Sequence, residues 1–184
     1  MKLIKQSICC FLLLVIAKVS GAELPSDLTP LIRFYDNNRF VHSYSHDERE
    51  LADWRQTNGV REQIVVGMIS TKELPGTSRL WRAVRQKDQK HFYYLTAPRP
   101  AVGVIVDNDN FQTYVWKTSG NGRIPIYGST WTDATDVFFD AKLSDVKKYA
   151  ADTKKALGVD RKMISASAVF WVYPNPEKEA EKSK

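Results

Sequence analysis

Leu31-Ile32-Arg33-Phe34-Tyr35-Asp36-Asn37-Asn38-Arg39-Phe40-Val41-His42-Ser43-Tyr44-Ser45 reads as two strands around a turn. Residues 31–35 are mostly apolar and aromatic, Asp36-Asn37-Asn38 breaks the chain, and 40–45 resumes in strand-like alternation. The design recurs. Leu80-Trp81-Arg82 repeats the Leu-x-Arg form, and His91-Phe92-Tyr93 follows Leu80 by 11 residues, as His42-Ser43-Tyr44 follows Leu31. A third start at Ile124 reaches Val137-Phe138-Phe139 after 13 residues, which predicts a turn two residues longer. The starts lie 49 and 44 residues apart. Periods of this size mark repeated supersecondary units around a shared core.

The segments between these hairpins differ. After the first, Ser45 or Asp47 can cap a helix over 48–56, with Leu51 and Trp54 on one face. Asn58-Gly59 closes that helix, and 64–70 is a β-branched strand. After the second, Pro98 and Pro100 forbid a regular helix, and strands follow at 102–106 and 111–118. After strands at 124–127 and 137–139 comes the clearest helix, 143–157, with Ser144 as its cap and Gly158 as its stop, then a final apolar strand over 166–173. The expected fold is α+β and β-rich: a single domain over 23–173, made of three strand–strand–(helix)–strand units at 30–70, 78–118 and 123–173 in a pseudo-threefold arrangement. Residues 174–184 are Pro, Glu and Lys with almost nothing to bury, and read as a disordered charged tail.

The N-terminus reads as a secretory signal over 1–22. Lys2 and Lys5 precede an unbroken apolar run from Ile8 to Ala17, and Val19-Ser20-Gly21-Ala22 offers a small-residue cleavage site. The run is too short to span a bilayer as a helix. The expected location is therefore secreted and extracellular, with no membrane association after cleavage. Without 1–22, which hold Lys2, Lys5 and Lys18, 24 basic residues face 21 acidic ones. That balance is too even to argue for nucleic acid. Cys9 and Cys10, the two cysteines, both fall in the signal, so the mature chain must rely on packing rather than disulfides.

These residues resemble a three-repeat secreted domain of unknown function. Segment 31–69 carries Arg33-Phe34-Tyr35-Asp36-Asn37, His42-Ser43-Tyr44-Ser45, the acidic helix with Trp54, and a Gly67-Met68 closing strand, and His91-Phe92-Tyr93 matches the family's most specific tripeptide. Bacterial relatives of that domain are often appended to cell-wall hydrolases or other secreted enzymes, and the resemblance implies a binding role, with glycans as the ligand class. Two departures stand out: unit 2 lacks the helix, and Val137 replaces the histidine of unit 3.

Chemistry-bearing residues are sparse. His42, His46 and His91 are the three histidines. On a strand, residues four apart share a face but lie about 13 Å apart, too far for His42 and His46 to share a metal; the repeat gives His42 and His91 equivalent roles that read as structural, and no metal or cofactor is expected. Asp107-Asn108-Asp109-Asn110 lacks the glycine and distal glutamate of a calcium loop and reads as a turn. No Gly-x-Ser-x-Gly elbow positions a nucleophile, and no catalytic residue is assigned. The aromatics carry more weight, because sugar rings stack on exposed aromatic faces. Trp171 and Trp54 read as buried. Trp131, set among Ser129, Thr130, Thr132 and Asp133, is the best candidate for exposure, followed by Trp116. The expected ligand site is therefore Trp131, Trp116 and Asp133. Three functions stay open: a non-catalytic binding module for a glycan or an extracellular protein, a secreted hydrolase with unplaced catalytic residues, and an extracellular structural or interaction protein.

Overall fold

The computed structural model describes residues 25–107, 111–131, 136–158, 160–165 and 167–177. The expected signal over 1–22 and the end of the tail, 178–184, lie outside the described residues. The elements run β1 (Leu28–Asp36), β2 (Val41–Ser45), α1 (Glu48–Gln56), β3 (Val60–Ser70), β4 (Thr77–Arg85), β5 (Lys90–Tyr94), β6 (Val104–Val106), β7 (Thr113–Trp116), β8 (Ile124–Trp131), β9 (Val137–Asp140), α2 (Leu143–Leu157), β10 (Arg161–Met163) and β11 (Phe170–Val172). Among the described residues the strands join into one open antiparallel sheet, accompanied by two helices. The fold is thus β-rich α+β.

Three hairpins share one register. Arg33 pairs with Tyr44, Arg82 with Tyr93, and Gly128 with Phe139. Leu31, Leu80 and Ile126 each lie two residues before the first partner and are each fully buried. The expected third start, Ile124, is therefore displaced. Ile124 is half-buried and pairs with Val172. The two additional residues belong to the beginning of β8, not to a longer turn: four residues separate Trp131 from Asp136, as they separate Asp36 from Val41 and Arg85 from Lys90.

The hairpins deliver three aromatic rings to one point. Tyr44 lies 5.1 Å from Tyr93 and 5.3 Å from Phe139, and Tyr93 lies 6.4 Å from Phe139, centroid to centroid. The hydroxyls stitch neighbouring hairpins together. Tyr44 donates to the Val137 carbonyl at 3.1 Å and accepts from the Phe139 amide at 2.7 Å. Tyr93 does the same to Tyr44, donating to its carbonyl at 3.1 Å and accepting from its amide at 2.7 Å. Two arginines follow suit, Arg33 donating to the Phe139 carbonyl at 2.7 Å and Arg82 to the Tyr44 carbonyl at 3.4 Å. At the corresponding place in the third hairpin stands Gly128. A Cβ there would lie 2.8 Å from Ile164 and 2.9 Å from Phe139, so those apolar side chains occupy the space next to the backbone.

β3, β7 and β11 run antiparallel to β1, β4 and β8, and they also touch one another, through Ser70–Tyr114, Trp171–Trp116 and Met68–Tyr173. Gly67 permits this approach, since a Cβ there would meet Val172 at 2.2 Å. Around these junctions Leu31, Ile69, Leu80, Phe111, Ile126 and Phe170 form the fully or almost fully buried core.

The helices start differently. Asp47 caps α1, accepting from the Arg49 and Glu50 amides at 3.1 and 2.9 Å. α2 is preceded by Lys142 with no side-chain cap, and Ser144, expected to cap it, lies inside the first turn. The Asp140 carboxylate instead accepts from the Lys142 amide at 3.1 Å. Gly158 ends α2 in the left-handed conformation, φ 68°. β10 was not legible as a strand. Pro174 and Asn175, expected in the free tail, are half-buried and line a cavity beside Arg33.

Candidate functional site: the cleft at Trp54 and His91

A cavity of about 300 Å³ opens where α1 and the first hairpin meet the β4–β5 hairpin. Its chemistry comes from Asp36, Arg39, Glu50, Trp54 and His91. Helical periodicity turns Leu51 fully inward, while Trp54, three residues on, reaches the edge of the core and is half-buried. The indole stands edge-on to Phe34 at 5.2 Å and tilted over His91 at 5.6 Å.

His91 enters from β5. Burial, with the nearby Arg82 charge, drives its pKa down to about 3, so the imidazole is neutral in physiological conditions. Its Nδ1 is enclosed and has no hydrogen-bond partner among the described residues. Asp36 ends β1 and organises the turn, its Oδ1 accepting from the Asn38 and Arg39 amides at 2.8 and 3.2 Å. The half-exposed Arg39 guanidinium lies 3.5 Å from its Oδ2. Both bonds to Glu50 fall on Oε2, from Ser45 Oγ at 2.5 Å and Arg82 Nη1 at 2.7 Å, and Arg82 also donates to Asp107. Asp107, the first residue of the acidic turn, thus serves an internal ion pair.

A second cluster is closed. His42 Nδ1 lies 3.1 Å from Asp136, which also accepts from the His42 amide at 2.5 Å and from Arg161 Nη1 at 2.5 Å. The side chains of Asp136 and Arg161 are fully buried. Burial works to raise the Asp136 pKa, but His42 and Arg161 outweigh it and hold the carboxyl below its ordinary range. Burial lowers His42 against the pull of Asp136. The Arg161 guanidinium lies 4.9 Å from the Tyr149 ring centroid and bonds Ser129 through its hydroxyl at 3.3 Å and its carbonyl at 3.0 Å. His46, the third histidine, stacks on Phe111 at 5.8 Å.

Neither Trp131 nor Trp116, two of the residues expected to bind ligand, lines the cleft. Trp131 is half-buried at the end of β8, its ring centroid 5.6 Å from Lys90 Nζ and 6.0 Å from the Arg161 guanidinium. Its indole N–H is enclosed without an acceptor among the described residues. Trp116 is not exposed as expected. It pairs with Thr77 and Trp171 at the junction of the closing strands, edge-on to Tyr173 at 5.0 Å, and only 4% of it reaches solvent. Asp133 lies outside the described residues. Trp54, expected in the core, lines the cavity. The sequence signal for it was its company: Asp53 and Arg55 flank it in a helix whose fully buried residue is Leu51.

A family model described as a domain of unknown function (DUF5648) matches residues 17–99. Every residue of the cleft falls within that match, whereas the closed cluster draws Asp136 and Arg161 from beyond it. No curated protein and no solved structure matches the chain. No helix among the described residues is long and apolar enough to cross a membrane.

Proposed function

We propose that this protein is a secreted, non-catalytic binding module that holds a carbohydrate in the Trp54 cleft. One observation carries the reading: a half-buried tryptophan at the edge of a 300 Å³ cavity shares it with two carboxylates, a guanidinium and a neutral imidazole. An apolar face plus a few fixed polar groups is what a sugar ring needs. The carboxylates already hold structural partners, Asp36 the turn amides and Glu50 Ser45 and Arg82, which favours binding over hydrolysis. We further propose that the chain is a three-unit repeat with pseudo-threefold symmetry. The common hairpin register, the aromatic trio and the paired closing strands support it. Secretion rests on the signal-like pattern of 1–22, and the intact mass of exported protein should begin at Glu23; recovery of the full chain in a membrane would refute this.

The test is a glycan array with the mature protein, followed by Trp54→Ala. Loss of the identified glycan with urea stability reduced by no more than the lost packing supports the cleft; unchanged affinity removes it. Trp131 keeps a secondary place as a stacking surface, and unchanged affinity in Trp131→Ala would exclude it.

A further inference from the structure

The closed cluster and the open cleft occupy matching places on neighbouring hairpins. Ser129 and Trp131 lie three and five residues after Ile126, as Phe34 and Asp36 lie after Leu31. Tyr149 and Trp54 are each the seventh residue after their helix caps. His42 and His91 each lie 11 residues after Leu31 and Leu80. In the closed place, the Arg161 guanidinium is bounded by Ser129, Trp131 and Tyr149, with Asp136 between it and His42. In the open place, the counterparts of Ser129, Trp131, Tyr149 and His42, namely Phe34, Asp36, Trp54 and His91, line the cavity, whereas Asp136 is matched by Val41, which does not. The cavity therefore stands where a guanidinium stands in the neighbouring site.

We infer that the cleft takes a cationic group from its ligand, and that this group is the free ammonium of a de-N-acetylated amino sugar. The inference rests on the carbohydrate reading above. Trp54 replaces Tyr149 as the aromatic face, and tryptophan is the better partner for a cation. Asp36 brings a carboxylate to the place of Trp131. Glu50 adds a second carboxylate, with Oε1 unpartnered among the described residues. The groups that oppose a cation are Arg39 and Arg82. Arg82 is matched by Glu50 and Asp107, and His91 is neutral. Arg39 is half-exposed and loosely held to Asp36 at 3.5 Å, so an incoming ammonium displaces it toward solvent.

The experiment titrates the mature protein with a glucosamine tetramer and with its N-acetylated counterpart, following the Trp54 indole N–H by NMR. That resonance is assigned by its disappearance in Trp54→Phe. The glucosamine tetramer should bind about tenfold tighter, the scale of one desolvated cation–aromatic and carboxylate contact. Asp36→Asn and Glu50→Gln should each erode that preference, and Arg39→Ala should enhance it. Equal binding of both tetramers, preference for the acetylated one, or retained preference in both carboxylate variants overturns the charge assignment and leaves the binding-module reading intact. Binding of neither tetramer overturns the assignment as well, and if the glycan array is also blank it takes the binding-module reading down with it.

Discussion

Tyr44→Phe removes one oxygen from the centre of the molecule and leaves the ring that fills it. The hydroxyl accepts from the Phe139 amide at 2.7 Å and donates to the Val137 carbonyl at 3.1 Å, and Tyr44 is completely buried. Water cannot replace it there. The stranded amide costs about 1–3 kcal/mol and the lost bond to the carbonyl about 0.5–1.5 kcal/mol, so the expected destabilisation is about 2–4 kcal/mol. That is a large share of the roughly 5–15 kcal/mol that holds a typical domain together. In urea, with a slope of about 2 kcal/mol/M, the midpoint should fall by about 1–2 M at unchanged slope. Tyr93→Phe should behave alike, because its hydroxyl serves the Tyr44 amide and carbonyl in the same manner. The two effects should not add, since both meet at Tyr44. A shift below about 0.5 kcal/mol for Tyr44→Phe would show that the hairpins are held by ring packing and that the hydroxyl bridges contribute nothing.

Gly67→Ala should destabilise by about 1–3 kcal/mol, read in urea, because the new Cβ would meet Val172 at 2.2 Å and push β11 away from β3. Asp47→Ala should cost about 1 kcal/mol by loss of the α1 cap, whereas Ser144→Ala, which removes no cap, should leave the melting temperature nearly unchanged. The pH dependence follows from His91. Its folded pKa of about 3 lies below the ordinary value of an unfolded histidine, so the unfolded chain takes up the proton first. Stability is full above about pH 6.5 and falls as the pH drops toward 3, by at most about 1.4 kcal/mol per pH unit. Buried His42 adds in the same direction. Melting curves between pH 7 and 4 should show the decline, and His91→Gln should make it shallower; an identical slope in that variant would refute the assignment.

The sequence by itself determined the local elements. Strand alternation and turn residues located the first two hairpins, and α1 runs over the expected 48–56 because Asp47 and Asn58-Gly59 are chemical boundaries that act within a few residues. Gly158 stopped α2 for the same reason. The third hairpin starts two residues later than expected, because its turn and start carry no distinctive pattern and the register that Ile126 shares with Leu31 and Leu80 is visible only in the cross-strand pairing. Ser144 misled as a cap because the stabilising carboxylate, Asp140, lies on the strand before the helix. Tertiary structure alone decided the site. Trp116 and Trp54 are equally apolar in sequence, yet one sits at the junction of three strands and the other at the edge of the core. What set them apart was which elements packed over each ring, and those elements come from residues tens of positions away: Trp171 and Tyr173 against Trp116, His91 against Trp54. The contrast between the filled place at Arg161 and the open place at His91 arises in the same way: β10 carries the buried Arg161 guanidinium into one hairpin junction, whereas at the other the Arg39 guanidinium stays half-exposed, 3.5 Å from Asp36.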